Sequence, residues 1–221
     1  MRPKGGLLPH FVADPKAWQA AKDLAVFVLA GGRSSRMGTD KAFLELEGKT
    51  LLARALELAR TLSPSVAIVG PASLYQGHGR IIEDIFPGNG PLSGIHAALC
   101  STGNALNLVL GVDLPFVEVD YLKYLVLEAS ESGAVVTVPR AAGRLQPLCT
   151  VYHRHFRDAA QAALEKGENK IDALFAGVTT RIIDEAEMKR FAFDPAMFQN
   201  LNTREDFERA RARLRAVRSG P

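Results

Sequence analysis

The chain has 221 residues, of which 47% are hydrophobic and 23% are charged, a balance typical of one globular domain with a substantial core. It contains no apolar run of the roughly 18 residues that a membrane span needs. Its N-terminus lacks the apolar segment of about 7–15 residues that marks a secretory signal. We therefore expect a cytoplasmic protein without membrane contact, in which Cys100 and Cys149 stay reduced.

The net charge of +3 resides in the C-terminal segment. From residue 204 onward, six arginines stand against three acidic residues, so the preceding part of the chain is neutral overall. The six are Arg204, Arg209, Arg211, Arg213, Arg215 and Arg218. A nucleic-acid-binding protein would carry a basic face on its body. The composition therefore argues against nucleic acid as a partner, whereas arginines late in a helix complement its dipole.

Residues 1–23 are predicted to form an N-terminal extension, with a short helix starting at Asp14-Pro15. Strand and helix patterns alternate after it. The predicted strands are 24–30, 66–70, 80–82, 106–112, 134–138, 145–152 and 179–183, and the predicted helices are 50–62, 91–101, 117–131, 154–166 and 203–217. Residues 107–112 are apolar on both faces, as in strands covered by helices on each side. The pattern predicts one domain over 24–221, a doubly wound, mostly parallel α/β sheet with helices on both faces and an arginine-rich C-terminal helix.

The segment that follows the first strand is rich in glycines and cations. Glycines allow backbone N–H groups to approach an anion closely, and Arg33, Arg36 and Lys41 supply positive charge. The loop lies where open α/β sheets bind their ligands. We therefore predict that it binds phosphate, the alternative being a polar loop that faces water.

Two familiar phosphate-binding loops do not fit this segment. A Walker-type loop has four residues between its glycines, whereas five separate Gly32 from Gly38. A dinucleotide-binding fingerprint needs a carboxylate at the end of the second strand. That strand is predicted over 66–70 and ends without one.

The string LAGG-x-S-x-RMG-x-DKA, residues 29–42, resembles the signature of the NTP-transferase family that includes the molybdenum cofactor guanylyltransferases. Further motifs of that family follow in order, namely Ile82-Glu83-Asp84, Gly90-Pro91-Leu92-Ser93-Gly94, Val112-Asp113-Leu114-Pro115, Gln146-Pro147-Leu148 and Asn200-Leu201-Asn202-Thr203. The resemblance covers about residues 24–207. It implies a Rossmann-like, GT-A-like nucleotidyltransferase. The implied reaction is Mg²⁺-dependent transfer of GMP from GTP to the terminal phosphate of molybdopterin, with release of pyrophosphate.

The resemblance also implies roles for individual residues. The implied nucleotide-binding set is Leu29, Ala30, Gly31, Gly32, Arg33, Lys41, Asp84 and Asp113. Lys41, Arg36 and Asp113 are the catalytic candidates, Lys41 meeting the triphosphate and Asp113 holding Mg²⁺. Asn200 and Asn202 would border the pterin.

Structural alternatives stand beside these roles. Asp113 could serve a turn before Pro115, and Asp84 could form a turn before Pro87. The segment at Asn200 could act only as a cap, with Thr203 as the N-cap of the last helix. The histidines at 153 and 155 indicate a basic surface rather than a metal site.

The sequence departs from the family after the second strand. Relatives often have an asparagine there that contacts the base, whereas this chain reads Gly70-Pro71-Ala72-Ser73. Three other functions therefore stay open. They are a nucleotidyltransferase with other substrates, such as CTP, a catalytically silent nucleotide-binding module, and a scaffold that delivers the cofactor to a molybdoenzyme apoprotein through the arginine-rich tail.

Overall fold

The computed structural model describes residues 23–30, 40–201 and 203–218 of the protein. The strands are β1 (Leu24–Leu29), β2 (Glu45–Leu46), β3 (Lys49–Thr50), β4 (Val66–Val69), β5 (Ile81–Ile82), β6 (Leu106–Gly111), β7 (Val136–Ala141), β8 (Arg144–Leu145), β9 (Cys149–His153) and β10 (Thr180–Ile183). The α-helices are α1 (Leu51–Leu62), α2 (Ala72–Tyr75), α3 (Pro91–Cys100), α4 (Val119–Ser132), α5 (Phe156–Glu165), α6 (Ile171–Leu174), α7 (Glu185–Arg190) and α8 (Arg204–Arg218). Short 3₁₀ turns lie at Lys41–Phe43, Phe175–Gly177 and Pro195–Phe198.

One large sheet runs through the molecule in the order β10-β7-β9-β6-β1-β4-β5, with β8 paired to β7. Strand β1 is parallel to both of its neighbours, β6 and β4, and β5 continues the parallel arrangement beside β4. Strand β9 runs antiparallel between β6 and β7. The predicted fold class, a mostly parallel α/β sheet, is confirmed.

Helices cover both faces of the sheet because its central strands are apolar on both sides. Along β1, Val26 and Val28 join one hydrophobic core, which includes side chains of α1 and α4. Phe27 and Leu29 join a second core, which includes side chains of α3 and α5. All six residues of β1 are buried. The strand therefore lies at the centre of the fold, where its end can place a site.

The cap predicted at the last helix is present. The Thr203 hydroxyl accepts the N–H of Asp206 at 3.1 Å, and the Asp206 carboxylate accepts the N–H of Thr203 at 2.9 Å. This reciprocal pair is a capping box, in which aspartate takes the place of the more usual glutamate.

Three features differ from the predicted elements. The strand expected over 145–152 is divided into β8 and β9 by a turn, in which the Cys149 N–H donates to the Gln146 carbonyl. A hairpin of β2 and β3 was not predicted, and its turn residues Glu47 and Gly48 both have positive φ. The short helices α2, α6 and α7 have four to six residues, too few for apolar periodicity to reveal them.

Several predictions fall on residues outside the described ranges. They concern Gly31, Gly32, Arg33, Arg36 and Asn202, together with the extension before Asp23. Both cysteines are free. Among the helices of the described residues, none combines the length and the apolar character of a membrane span.

Candidate functional site

The centre of the sheet contains a switch in strand order. From β1 the chain passes to β4 and β5 on one side, and it then returns to β6 on the other side. Since these four strands are parallel, their carboxyl ends lie at one edge. Leu29 is level with Gly111, and the N–H of Val112 donates to the Leu29 carbonyl at 3.0 Å. Open α/β sheets bind ligands in the crevice at such a switch point.

Asp113 stands beside this crevice, two residues after the end of β6. The absence of a side chain at Gly111 makes room for its carboxylate, because a Cβ there would lie 2.8 Å from Oδ1 of Asp113 and 3.3 Å from Cβ of Leu148. The N–H of Gly111 also donates to the Leu148 carbonyl at 2.6 Å. Glycine at 111 therefore lets the Asp113 carboxylate and Leu148 pack closely against the end of β6.

Lys41 supplies positive charge to the same place. It begins the 3₁₀ turn Lys41–Phe43, whose N-cap is Asp40, with the carboxylate accepting the Ala42 N–H at 2.9 Å. Burial raises the pKa of Asp113, and the charge of Lys41 partly opposes that rise. Lys41 thus lies near enough to Asp113 for its charge to act on that carboxyl, and both residues are catalytic candidates from the sequence.

The donor set at Asp113 suits Mg²⁺. This ion takes one or two protein carboxylates and completes its shell with water and substrate phosphates. A half-buried carboxylate, held in place by the packing at Gly111, offers a hard oxygen ligand of that kind. In the described part of the chain there is no group of three or more His, Cys, Asp or Glu side chains that could hold a metal by themselves. A metal here would therefore share its ligands with a bound nucleotide.

A pocket of about 840 Å³ opens beside the ends of β1, β4 and β5. It is lined by Leu29, Val69, Gly70, Pro71, Glu83, Asp84, Pro87, Gly88, Gly90, Pro91 and Gly94. Among the described residues of this lining, the charged ones are Glu83 and Asp84, both acidic. The pocket therefore offers hydrogen-bond acceptors to a ligand that carries N–H or O–H donors.

Asp84 lies against the first turn of α3. A Cβ at Gly94 would lie 3.5 Å from Oδ1 of Asp84 and 3.2 Å from Cγ1 of Val69, so the small residue lets the helix pack tightly here. Although Asp84 is exposed as a residue, burial on this side raises the pKa of its carboxyl. The Ser93 hydroxyl lies near this carboxyl and partly opposes the rise in its pKa. The Ser93 oxygen is itself buried and does not meet hydrogen-bond geometry with Asp84.

The other predicted site residues that the structure describes are Leu29, Ala30 and Asn200. Leu29 lines the pocket, and the N–H of Ala30 donates to the Val69 carbonyl at 3.0 Å. Asn200 is exposed, but the next residue, Leu201, is buried and donates its N–H to the Asp113 carbonyl at 3.1 Å. The segment assigned to the pterin side therefore lies next to Asp113. The functional roles of these residues stay predictions.

The sequence reasoning missed three residues that shape the site. Gly111 had a readable signal, since a glycine closes an apolar strand two residues before a candidate carboxylate. Glu83 lies in the motif Ile82-Glu83-Asp84, but the resemblance implied no function for it. Tyr75 had no local signal, because its hydroxyl contacts residues 35 and 45 positions away in the sequence.

The fold and the crevice define the class of the protein as an open α/β protein with a ligand crevice at the switch point of its sheet. Residues 26–181 match the MobA-like NTP transferase domain, so the chain belongs to the MobA-like NTP transferase family. The predicted family is thereby confirmed.

Relatives and solved structures agree with this assignment. A probable molybdenum cofactor guanylyltransferase from Pelotomaculum thermopropionicum is 35% identical over 87% of this chain and 94% of its own length. A molybdenum cofactor guanylyltransferase from Desulfosudis oleivorans is 32% identical over 86% of this chain and 96% of its own. The structure of molybdopterin-guanine dinucleotide biosynthesis protein A from Archaeoglobus fulgidus is similar with a TM-score of 0.76 and 26% identity, over 86% of this chain and 98% of that one.

Replacement of Gly111 by alanine tests the close packing beside Asp113. The added methyl group would meet the carboxylate and Leu148, so we expect Gly111→Ala to lower the free energy of unfolding by about 1–3 kcal/mol. Gly103→Ala is the matched control, because a Cβ at that exposed glycine meets nothing within 4 Å. Urea unfolding measures both variants. Equal stability of Gly111→Ala and the wild type would contradict the packing described here.

The raised pKa of Asp113 predicts a dependence of stability on pH. The folded state keeps the proton on Asp113 to higher pH than the unfolded state does, so ionisation of Asp113 costs stability as the pH rises above about 4. Asparagine cannot ionise. Without nucleotide or metal, Asp113→Asn should therefore unfold at higher urea than the wild type at pH 7, and the difference should vanish in acid.

The exposed Asp158 provides the control for this comparison, since Asp158→Asn should leave the urea midpoint nearly unchanged at every pH. A lower midpoint for Asp113→Asn at pH 7 would show that the ionised carboxylate stabilises the fold, contrary to the account.

Proposed function

We propose that the protein transfers GMP from GTP to the terminal phosphate of molybdopterin and releases pyrophosphate, as a molybdenum cofactor guanylyltransferase. The observation that carries the proposal is the position of Asp113 at the crevice between β1 and β6, where the charge of Lys41 acts on its carboxyl. It is supported by the two guanylyltransferase relatives, each of which is matched over more than nine-tenths of its own length.

The reaction joins two anions. A terminal phosphate oxygen of the acceptor attacks the α-phosphorus of GTP, a new P–O bond forms, and the bond from that phosphorus to the bridging oxygen of the β-phosphate breaks. The electron pair of the broken bond leaves on pyrophosphate. Because a phosphate monoester is largely ionised near neutral pH, no base has to remove a proton from the attacking oxygen. The site therefore has to align the reactants and neutralise their charge.

Each residue then has a task that fits its position. Lys41 would neutralise charge that develops on the leaving pyrophosphate. Asp113 would hold Mg²⁺, which supplies charge neutralisation at the phosphates when bound. Leu29 and Ala30, at the end of β1, would contact the nucleotide through their carbonyl oxygens, each of which accepts one hydrogen bond within the fold and keeps a second lone pair. Asn200 would face the acceptor, because its neighbour Leu201 is bound to the backbone of Asp113.

The pocket beside β4 and β5 would receive the nucleoside. Guanine presents its N1–H and 2-amino group as donors side by side, which matches the acidic lining formed by Glu83 and Asp84. A ribose would offer hydroxyl donors to the same carboxylates. The asparagine that relatives place after the second strand is replaced here by Gly70 and Pro71, which line the pocket with backbone and ring atoms. The carboxylates therefore become the main candidates for recognition of the base.

A transfer assay tests the proposal. Purified protein with Mg²⁺ and molybdenum-loaded molybdopterin is given GTP, CTP or ATP separately, and the pterin dinucleotide is identified by mass. We expect product from GTP alone. Lys41→Ala and Asp113→Ala should each lower the rate by about 10²–10³, because each removes charge stabilisation from the transition state.

Two surface variants control for nonspecific effects of charge removal. Lys49 is an exposed lysine that pairs with Glu57, and it is the control for Lys41. Asp158 is an exposed aspartate that pairs with Arg157, and it is the control for Asp113. Lys49→Ala and Asp158→Ala should retain the wild-type rate. Product from CTP instead of GTP would overturn the substrate assignment. Binding of a nucleotide without transfer to molybdopterin would indicate a binding module or a different phosphate acceptor.

A further inference from the structure

Tyr75 is a fully buried tyrosine whose hydroxyl bridges two segments of the candidate site. It donates to the carbonyl of Ala30 at 2.7 Å and to Oδ2 of Asp40 at 2.8 Å, so the two acceptors share its single proton. Ala30 directly follows β1, and Asp40 directly precedes Lys41. The hydroxyl therefore links the 3₁₀ turn that contains Lys41 to the end of the central strand, β1.

The ring of Tyr75 contacts the same turn. Its centroid lies 5.8 Å from that of Phe43, the last residue of the 3₁₀ turn Lys41–Phe43. The other carboxylate oxygen of Asp40 accepts the Ala42 N–H at 2.9 Å. One side chain thus contacts the turn at both ends. Burial and the Asp40 carboxylate raise the pKa of Tyr75 above its ordinary value, so its hydroxyl remains a donor at neutral pH.

We propose that Tyr75 is a positioning residue for nucleotide transfer, which holds Lys41 in register with Asp113 by tying Asp40 to Ala30. The inference rests on the proposed function. Lys41 has a long, flexible side chain, and its usefulness depends on where its backbone is held. Removal of the hydroxyl would leave the Ala30 carbonyl and one Asp40 oxygen without this donor, and the turn could then shift relative to β1.

The position of Tyr75 also connects the nucleoside pocket to Lys41. It is the last residue of α2, and the first residue of that helix, Ala72, donates its N–H to the Glu83 carboxylate at 2.9 Å. Glu83 lines the pocket. Helix α2 is therefore hydrogen-bonded both to Glu83, where a base would bind, and to Asp40, which precedes the Lys41 that would meet the triphosphate.

The affinity for Mg²⁺–GTP, measured by calorimetry in a double-mutant cycle, tests this role. Tyr75→Phe keeps the ring and removes only the hydroxyl. We expect it to raise the Kd about tenfold in the wild-type background, the size of effect that the loss of one hydrogen bond to a charged group can produce. In a Lys41→Ala background the same change should raise the Kd less than about twofold, because the residue that it positions is gone.

The control is Tyr124→Phe. Tyr124 is also fully buried, and its hydroxyl also donates to a carboxylate, that of Glu187, on helix α7 rather than at the crevice. This variant should bind Mg²⁺–GTP like the wild type. An equal loss of affinity in Tyr124→Phe, or an equal effect of Tyr75→Phe with and without Lys41, would reduce Tyr75 to a general contributor to stability and overturn the proposal.

Amide hydrogen exchange separates this inference from the proposed function. If the wild-type protein binds no GTP, the proposed function fails, but exchange at the Ala42 amide still reports on the turn. Tyr75→Phe should raise that exchange rate about tenfold relative to Tyr124→Phe if the hydroxyl holds the turn. Unchanged exchange at Ala42 would refute the positioning role whichever nucleotide the protein uses.

Discussion

The site depends on one close approach at the end of the central strands. The Asp113 carboxylate packs so closely against Gly111 that a Cβ there would lie 2.8 Å from Oδ1 of Asp113. The N–H of Gly111 donates to the Leu148 carbonyl at 2.6 Å. On the other side, the Val112 N–H is bonded to the Leu29 carbonyl. These backbone contacts bring the Asp113 carboxylate to the switch point, where burial raises its pKa and the charge of Lys41 partly opposes that rise.

The buried position of the ionised Asp113 carboxylate lowers the stability of the fold and favours the binding of cations beside it. A half-buried carboxylate with a raised pKa is an unfavourable anion in the isolated fold, and the charge of Lys41 offsets part of that cost. A divalent ion accompanying a triphosphate would offset more of it. Perturbed carboxyls in a crevice are common where a protein handles charged substrates. The arrangement is thus consistent with an enzyme of the MobA-like NTP transferase family, to which the chain belongs.

Much of this was readable from the sequence because the decisive signals were local. The apolar runs that form β1 and β6 identified buried strands, and the motif Val112-Asp113-Leu114-Pro115 directly after the second run singled out Asp113. Thr203 and Asp206 form the capping pair that their spacing predicted.

Features that depend on tertiary contacts were not readable. The strand expected over 145–152 is divided by the turn at Gln146, whose N–H donates to the Pro139 carbonyl of the neighbouring strand β7. The turn of the β2–β3 hairpin uses Glu47 at positive φ, a residue type that gives no turn signal. Tyr75 reaches Ala30 and Asp40 only after the chain has folded. Side-chain contacts between distant segments leave no periodic pattern to detect.

A crystal structure of the protein with Mg²⁺ and a non-hydrolysable GTP analogue would show whether Asp113 and Lys41 bind the metal and the triphosphate. We expect the triphosphate in the crevice between β1 and β6, a metal about 2.1 Å from an oxygen of Asp113, and the Lys41 ammonium at the phosphates. The base should lie in the pocket beside Glu83 and Asp84. A nucleotide bound elsewhere, or a metal bound in the crevice without Asp113, would contradict the account.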